Sequence, residues 1–485
     1  MAFIRRTFMQ RYVPLMLFFL VLLTPFALKQ IYGTAADTMQ QGDGERLIIV
    51  TAHVEGIRRE FAEKFSEWHK AKYGKSVYVD YRQVGGTAEI VKFFDATKRA
   101  KFPTQGTYDI DLMWGGGDTL FERDLKQRGE HLEAVKLSDE TMRYAFPQSK
   151  IVGVPLYDDK DFMWYGTALS SFGITFNRDV CQYLQVKPPT TWADLADPKF
   201  RSWVILADPT RSGSVKQAFM IIVQRAMADA AEADKSEDLG WAKGMGLIRQ
   251  IAANARMFTD AGSSVPGFIA SGDAAVGMTI DFFGRSQADA IPDNRLAYVD
   301  PINATAINAD PIALIKGAPH REIAIRFIEF VLSEQGQRLW NTKPGAPDGP
   351  RLTALRRLPI APPVFQDISN FTDPVNPYEA AGTFNFVPAR AQTWEIIDTL
   401  IQVSCMDLLD DLRETRRIIL EKNRPDLDAK LGTFPFDQQE ALRRAKTWRT
   451  ATALEKIQLQ RQWREEFREE YSQLRRMAQT SQETP

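Results

Sequence analysis

Two short stretches of this chain carry the side chains and backbone needed to hold a small charged molecule. The first is Thr210-Arg211-Ser212-Gly213-Ser214, which enters a helical pattern through Phe219, Ile222 and Val223. Free backbone N–H groups and hydroxyls at a helix N-terminus suit an anion. The plainer role of Ser212 or Ser214 is to cap that helix. The second stretch is Ile280-Asp281-Phe282-Phe283. A carboxylate beside two aromatic rings suits an amine or another cation through charge and cation–π attraction. The plainer role of Asp281 is to cap neighbouring backbone at a hinge. An anion-binding loop facing an acid–aromatic corner favours a small polar, anionic or zwitterionic organic solute.

Signals of catalysis are weak. The chain has four histidines, none in an HxxH or HExxH spacing, which argues against a zinc enzyme. No nucleophile elbow and no Ser-His-Asp order is visible. No enzymatic activity, no cofactor and no bound metal is therefore expected. Cys181 and Cys405 are far apart in sequence and are not a disulfide framework; one bridge and two buried thiols both remain open. The formal net charge is −1 with 25% charged residues, far from the basic field of a nucleic-acid binder.

The elements that must position these stretches follow from periodicity. Leu47 to Val50 reads as a buried strand, and a helix follows with Ile57, Phe61, Phe65 and Trp68 on one face. A second strand, Val77 to Tyr81, leads into Val84-Gly85-Gly86-Thr87 and another helix. A third, Ile110 to Trp114, ends in Gly115-Gly116-Gly117. Alternating strands and helices predict a parallel sheet with helices on its faces, with ligand beyond the carboxyl ends of its strands. His53, Gly86, Thr87, Gly116 and Gly117 all fall at that edge. A new unit begins near Ala168, where Ser170 and Ser171 lie on a crossing segment. The chain returns near Thr279 to Phe283, and Tyr298 to Trp340 completes the first unit. Trp114, Trp164 and Tyr165 lie near the predicted edge, either as stacking platforms or as core. Residues 346–485 differ in character, and a long Arg- and Glu-rich helix is predicted from about Gln438 to Ala478. Trp463, Phe467, Tyr471 and Leu474 mark one face of it, suited to packing on the second unit or to a membrane partner.

At the N-terminus, Arg5, Arg6 and Arg11 precede an uncharged run from Tyr12 to Leu28. Basic residues ahead of an apolar run are an export signature. Residues 1–30 are read as a signal peptide or an N-terminal membrane anchor, with the rest of the chain extracytoplasmic.

Several blocks occur in an order that resembles bacterial extracytoplasmic solute-binding proteins. These are Gly85-Gly86-Thr87, Asp109-Ile110-Asp111-Leu112, Thr191 to Phe200, Pro209 to Ser214, Ser271 to Met278, and Pro311 to Trp340. The resemblance covers about 45–345 and points to the branch carrying ferric iron, polyamines and phosphonates. It implies an α/β, two-lobed, type 2 periplasmic-binding-protein fold with hinge crossings and a C-terminal helical extension. Lobe 1 is expected over 45–167 plus 284–345, lobe 2 over 168–283, and the extension over 346–485. It implies a monomer that binds a small solute between the lobes and delivers it to an ABC transporter permease. The alternative is a membrane-anchored sensor or scaffold that keeps the fold. Together with the sheet-edge argument, it places the ligand against His53, Gly86, Thr87, Gly116, Gly117, Ser170, Ser171, Ser212, Gly213, Ser214, Asp281 and Phe282. Ferric-ion-binding relatives carry adjacent tyrosines where this chain has Phe282 and Phe283, and phenylalanine cannot ligate metal. Some carry a histidine ligand where this chain has His53, and a carboxylate near Thr87. The departure argues against ferric iron.

Overall fold

The computed structural model of the chain describes residues 18, 22–24, 45–379 and 384–480. The expected signal or anchor, 1–30, lies outside the described residues apart from Phe18 and 22–24. Among the described residues no helix is long and apolar enough to cross a membrane. By its internal contacts the chain divides into two compact units, Met1–Leu47 with Ala62–Asp80, and Ile48–Phe61 with Tyr81–Pro485. Within the smaller unit, Arg46 pairs with Asp80 at 2.6 Å, and the His69 ring lies 2.8 Å from the Lys75 carbonyl.

Besides a short two-stranded sheet of Lys150–Ile151 and Val154–Pro155, the described residues form two larger sheets. Strands β1 (Glu45–Thr51), β2 (Val77–Arg82) and β3 (Leu112–Trp114) alternate with helices α1 (Glu55–Tyr73) and α2 (Thr87–Ala100). β1 and β3 are parallel, with Ile49 opposite Leu112 and Thr51 opposite Trp114. Next comes β4 (Tyr165–Ser170), and after the single residue Ser171, β5 (Phe172–Asn177). Then follow β6 (Val204–Ala207), helices α3 (Gly213–Glu232) and α4 (Glu237–Ala253), β7 (Ala255–Thr259) and β8 (Val276–Ile280). Helix α5 (Asp281–Ala290), β9 (Leu296–Val299), β10 (Asn308–Ile315), α6 (Arg321–Leu332) and β11 (Leu358–Pro359) complete the two lobes.

The first sheet runs β11-β4-β10-β3-β1, and the second runs β7-β6-β8-β5-β9. Every residue of β4, β5, β6 and β10 is buried, as expected for strands covered on both faces. The chain leaves the first sheet at Ser171, within the predicted crossing. Its return differs from expectation. β9 pairs antiparallel with β5, Leu296 opposite Asn177 and Val299 opposite Ile174. Residues 281–299 therefore belong with the second sheet, and the return lies between Val299 and Asn308. Asp281 opens a helix that turns back rather than a strand that crosses.

The expected C-terminal helical extension is present. Its first part returns to the first sheet, where β11 pairs with β4. Helices α7 (Trp394–Ile401), α8 (Leu409–Glu421), α9 (Gln438–Thr450) and α10 (Ala453–Gln479) share one hydrophobic core with the second sheet. Trp463, Phe467, Tyr471 and Leu474 are buried in that core, so the aromatic stripe packs inward. Arg249 is buried beneath α10, 2.9 Å from Glu470 and bonded to the carbonyls of Leu431 and Thr433. A buried guanidinium is tolerable only when its donors are met in this way. The single helix predicted over 438–478 is two: it breaks at Ala451, and Thr452 opens α10 with a reciprocal capping box to Glu455. Cys181 and Cys405 are both free and buried, and burial pushes each thiol up to about 11.

Candidate functional site

A cavity of about 500 Å³ opens between the two sheets, a volume typical of small-molecule sites. From the first lobe it is lined by His53, Gly86, Thr87, Gly116, Gly117, Asp118 and Ser170. From the second come Thr210 to Ser214, Lys216, Phe282 and Phe283. Asn308 and Asp310 of β10, Arg357 just before β11, and Trp394 and Asp398 of α7 complete it.

Two helix N-termini meet here. Helix α2 starts after Gly86 and α3 after Ser212, and no side chain caps either one. Ser212 Oγ turns instead to Ser214 Oγ, at 3.1 Å. The capping role open to Ser212 in the sequence is therefore not used. The two ends approach closely: a Cβ at Gly86 would sit 3.0 Å from the Arg211 carbonyl, and one at Gly213 would sit 3.5 Å from Thr87 Oγ1. Residues without side chains at these positions let the lobes approach with backbone alone. The first turn of α3 contains no acidic residue, so its positive end is not neutralised from within.

Behind these ends lies a buried charge cluster. Asp310 Oδ1 accepts the N–H groups of Gly116 and Gly117, at 2.8 and 3.2 Å. Its Oδ2 lies 2.7 Å from His53 Nε2 and 2.8 Å from an Arg357 nitrogen. Gly115, Gly116 and Gly117 all have positive φ, which lets the backbone wrap the carboxylate. Burial alone would raise the Asp310 carboxyl; the charge of Arg357 and the hydrogen bonds from His53 and Gly116 outweigh it and hold the carboxyl well below the usual range. Burial pushes His53 below its ordinary value, against the pull of Asp310. His53 is thus neutral, donates through Nε2, and leaves Nδ1 buried without a partner.

Arg357 is delivered by anchors on either side. The buried Glu60 carboxylate accepts the N–H groups of Arg351, Leu352 and Thr353. Gln337 Oε1 accepts those of Ile360 and Ala361. Between them the guanidinium bonds Ser170 Oγ at 2.8 Å and lies 4.6 Å from the Phe282 ring centre.

Of the residues expected at the ligand, Ser171 and Asp281 do not line the cavity. Ser171 Oγ faces Tyr298 at 3.2 Å, and its carbonyl accepts the Asp281 N–H. Asp281 is fully buried, with Oδ1 accepting the Phe282 N–H at 2.8 Å and Oδ2 without a partner. Burial pushes its carboxyl up to about 6. The acid–aromatic corner exists, but the cation in it is the chain's own Arg357. Trp114, Trp164 and Tyr165 are core residues: Trp114 bonds Thr167, Trp164 bonds Glu122 and Tyr165 bonds the Val135 carbonyl. Sequence reasoning missed Asp310, Arg357, Lys216, Trp394 and Asp398. Lys216 alone carried a signal, being in the first turn of the helix behind the anion loop. Among the described residues no group of three or more His, Cys, Asp or Glu is placed to hold a metal ion.

Two α/β lobes, a cavity between them and backbone donors at its wall define a binding protein of the periplasmic type. The family described as bacterial extracellular solute-binding protein matches residues 111–353, half of the chain, and the chain belongs to that family. It is similar to the phosphoglycerate transport regulatory protein PgtC of Salmonella typhimurium, 24% identical over 284 residues, 56% of this chain and 62% of that protein. The chain thus spans under two thirds of that relative. Iron uptake protein A1 of Synechocystis sp. is 26% identical over 264 residues, 49% of this chain and 68% of that protein. Among solved structures, the periplasmic binding protein P5PA aligns with a TM-score of 0.55 at 18% identity, covering 73% of this chain and 94% of its own. Apo ferric ion-binding protein A of Pasteurella haemolytica aligns at 0.52 and 12%, covering 74% and 97%. At such identities the likeness is one of fold.

Proposed function

We propose that this chain is the extracytoplasmic solute-binding component of an ABC-type uptake system. It holds a small anionic or zwitterionic solute between its lobes and hands it to a membrane permease without chemical change. The carrying observation is the meeting of two uncapped helix N-termini, α2 and α3, on one cavity. α3 presents the positive end of a helix dipole with no acidic residue in its first turn, and α2 adds backbone donors at an end that carries Glu89, so an anion placed between them is met from both lobes. Such a ligand bridges the lobes and favours their closure, the usual motion of this architecture. Asp118, a carboxylate on the same wall bonded to Asn308 at 3.2 Å, suits a cationic group on a zwitterionic solute.

Ferric iron is not the solute in this reading. Iron relatives' phenolate positions hold Phe282 and Phe283. His53 is committed to Asp310, and Arg357 places a fixed positive charge where a trivalent cation would need oxygen ligands. The relatives' names, phosphoglycerate transport and iron uptake, are divided on this point; the residues here favour the anion.

The test is a thermal-shift series on the full chain with orthophosphate, phosphonates, phosphorylated sugars, polyamines and ferric citrate. A ligand at a hundredfold its Kd stabilises the folded state by about 2.7 kcal/mol. Phosphorylated compounds are expected to shift Tm. A shift confined to ferric citrate, with a visible charge-transfer band, would overturn the reading.

A further inference from the structure

Helix α7 lies outside the residues matched by the family, yet it forms one wall of the cavity through Trp394 and Asp398. Asp398 Oδ2 accepts from the Lys216 ammonium at 2.6 Å, and the same ammonium lies 5.0 Å from the Trp394 ring centre. Lys216 is 8% exposed. An ammonium has three protons, and Asp398 is the acceptor of one. Oδ1 of Asp398 accepts only a local bond, the Thr399 N–H at 2.8 Å. A nearly buried ion pair with spare donors and acceptors, opening on a cavity, is costly unless a ligand completes it. Arg123 and Asp124 of the first lobe are near enough to act on the Lys216 charge and line the same end.

The position is fixed firmly. Thr393, fully buried, accepts from the Trp241 indole N–H at 3.0 Å. Glu395 ties α7 to Arg128 of the first lobe and, at 2.8 Å, to Arg449 of α9. Its distance from the anion site is set by α3 itself: Lys216 lies four residues past Ser212, about 6 Å along the axis.

We infer that Trp394, Asp398 and Lys216 form a second subsite, which reads the hydroxylated body of a solute whose anionic end sits between α2 and α3. This rests on the anion reading above. A carboxylate beside an ammonium matches adjacent hydroxyls, one donating to Asp398 and one accepting from Lys216. The indole covers an apolar C–H face. Orthophosphate fills only a small part of the cavity, and a spacing of about 6 Å fits a phosphate joined to a sugar-sized polyol.

The experiment is calorimetric titration of the full chain with orthophosphate and with glucose 6-phosphate. The sugar phosphate is expected to bind at least about tenfold tighter. Trp394→Ala and Asp398→Asn should each remove most of that gain while changing orthophosphate affinity by less than about threefold. Trp394→Phe keeps a ring and should keep most of the gain, which separates recognition from folding. Orthophosphate binding with no gain from the sugar would overturn the second subsite and leave the anion site standing. Equal weakening of both ligands by the α7 variants would make α7 structural and overturn it as well. Binding of neither ligand would overturn the anion reading and this proposal together.

Discussion

The loop at the start of α3 and the corner at the start of α5 look alike in the sequence. Each is a short polar stretch ahead of a helix, and each carries groups that suit a charged ligand. In the structure they part. The α3 loop opens onto the cavity with its helix end uncapped. At the α5 corner Phe282 and Phe283 line the same cavity, but Asp281 is buried away from it and Arg357 lies against Phe282. A helix end offers its donors whatever the distant chain does, because they belong to its own backbone. A carboxylate beside a ring offers a site only if no other residue of the chain fills it. Here a residue more than seventy positions away does.

The largest test of that contrast is Arg357→Ala. Removing the guanidinium leaves the buried Asp310 carboxylate without its cation, although His53 and the Gly116 and Gly117 N–H groups still bond it, and uncovers Phe282; breaking a buried ion pair from one side costs roughly 3–5 kcal/mol. Urea denaturation should show a loss of that size, with Arg357→Lys recovering part of it. A loss under about 1 kcal/mol would mean that Arg357 is a ligand group waiting for its anion rather than a structural filler.

Asp281 comes next. Its carboxyl is raised by burial from 3.8 to about 6, against the favourable charges of Arg285 and Arg357 and with Asp300 nearby adding to the rise. A folded-state value above the unfolded one favours the protonated form. The stabilising effect is complete below about pH 4 and is lost as pH rises through 6. Two units correspond to about 3 kcal/mol. Asp281→Asn, which stays neutral, should therefore gain on the parent by up to about that amount between pH 4 and pH 7.5. Ligand-induced stabilisation should persist in the variant. A stability difference flat with pH, or abolished ligand binding, would return Asp281 to the site.

The same contrast explains how far the sequence could be read. Strands and their helices were legible because their apolar periods are local: Leu112 to Trp114, and Ile323, Phe327 and Val331 of α6, are buried as their spacing implies. The placing of β9 was not, because it belongs to the second sheet through pairing with β5, more than a hundred residues earlier. The break inside 438–478 was legible in principle, since Thr452 and Glu455 have the spacing of a capping box. In the site, the glycine and serine ends of α2 and α3 could be found. Asp310, Arg357, Trp394 and Asp398 could not, because each reaches the cavity from a segment whose own pattern says nothing of it.

Ser214→Asp sharpens the comparison from the open side. A carboxylate in the first turn of α3 complements the helix dipole and should stabilise the fold by about 0.3–1 kcal/mol. The same charge repels an anion at that helix end and should weaken its binding by at least about tenfold. Stability and affinity then move in opposite directions, an outcome that simple disruption does not produce. Unchanged orthophosphate affinity in a variant with raised Tm would remove the anion from α3.

The smallest expected effect is on iron. Phe282→Tyr with Phe283→Tyr supplies adjacent phenols at the positions where iron-binding relatives carry tyrosines. Phenolate binding of Fe(III) needs both hydroxyls deprotonated and further oxygen ligands around the ion. At this corner the Arg357 guanidinium already lies 4.6 Å from the ring of residue 282 and is paired with Asp310, which is thereby spent as a ligand. The double variant should show no visible charge-transfer band with ferric citrate. Adding Arg357→Ala to it removes the guanidinium from Asp310 Oδ2. If a band appears only in that triple variant, the guanidinium, rather than the missing tyrosines alone, is what separates this site from a ferric one. A band in the double variant would show that the guanidinium does not keep iron from the corner.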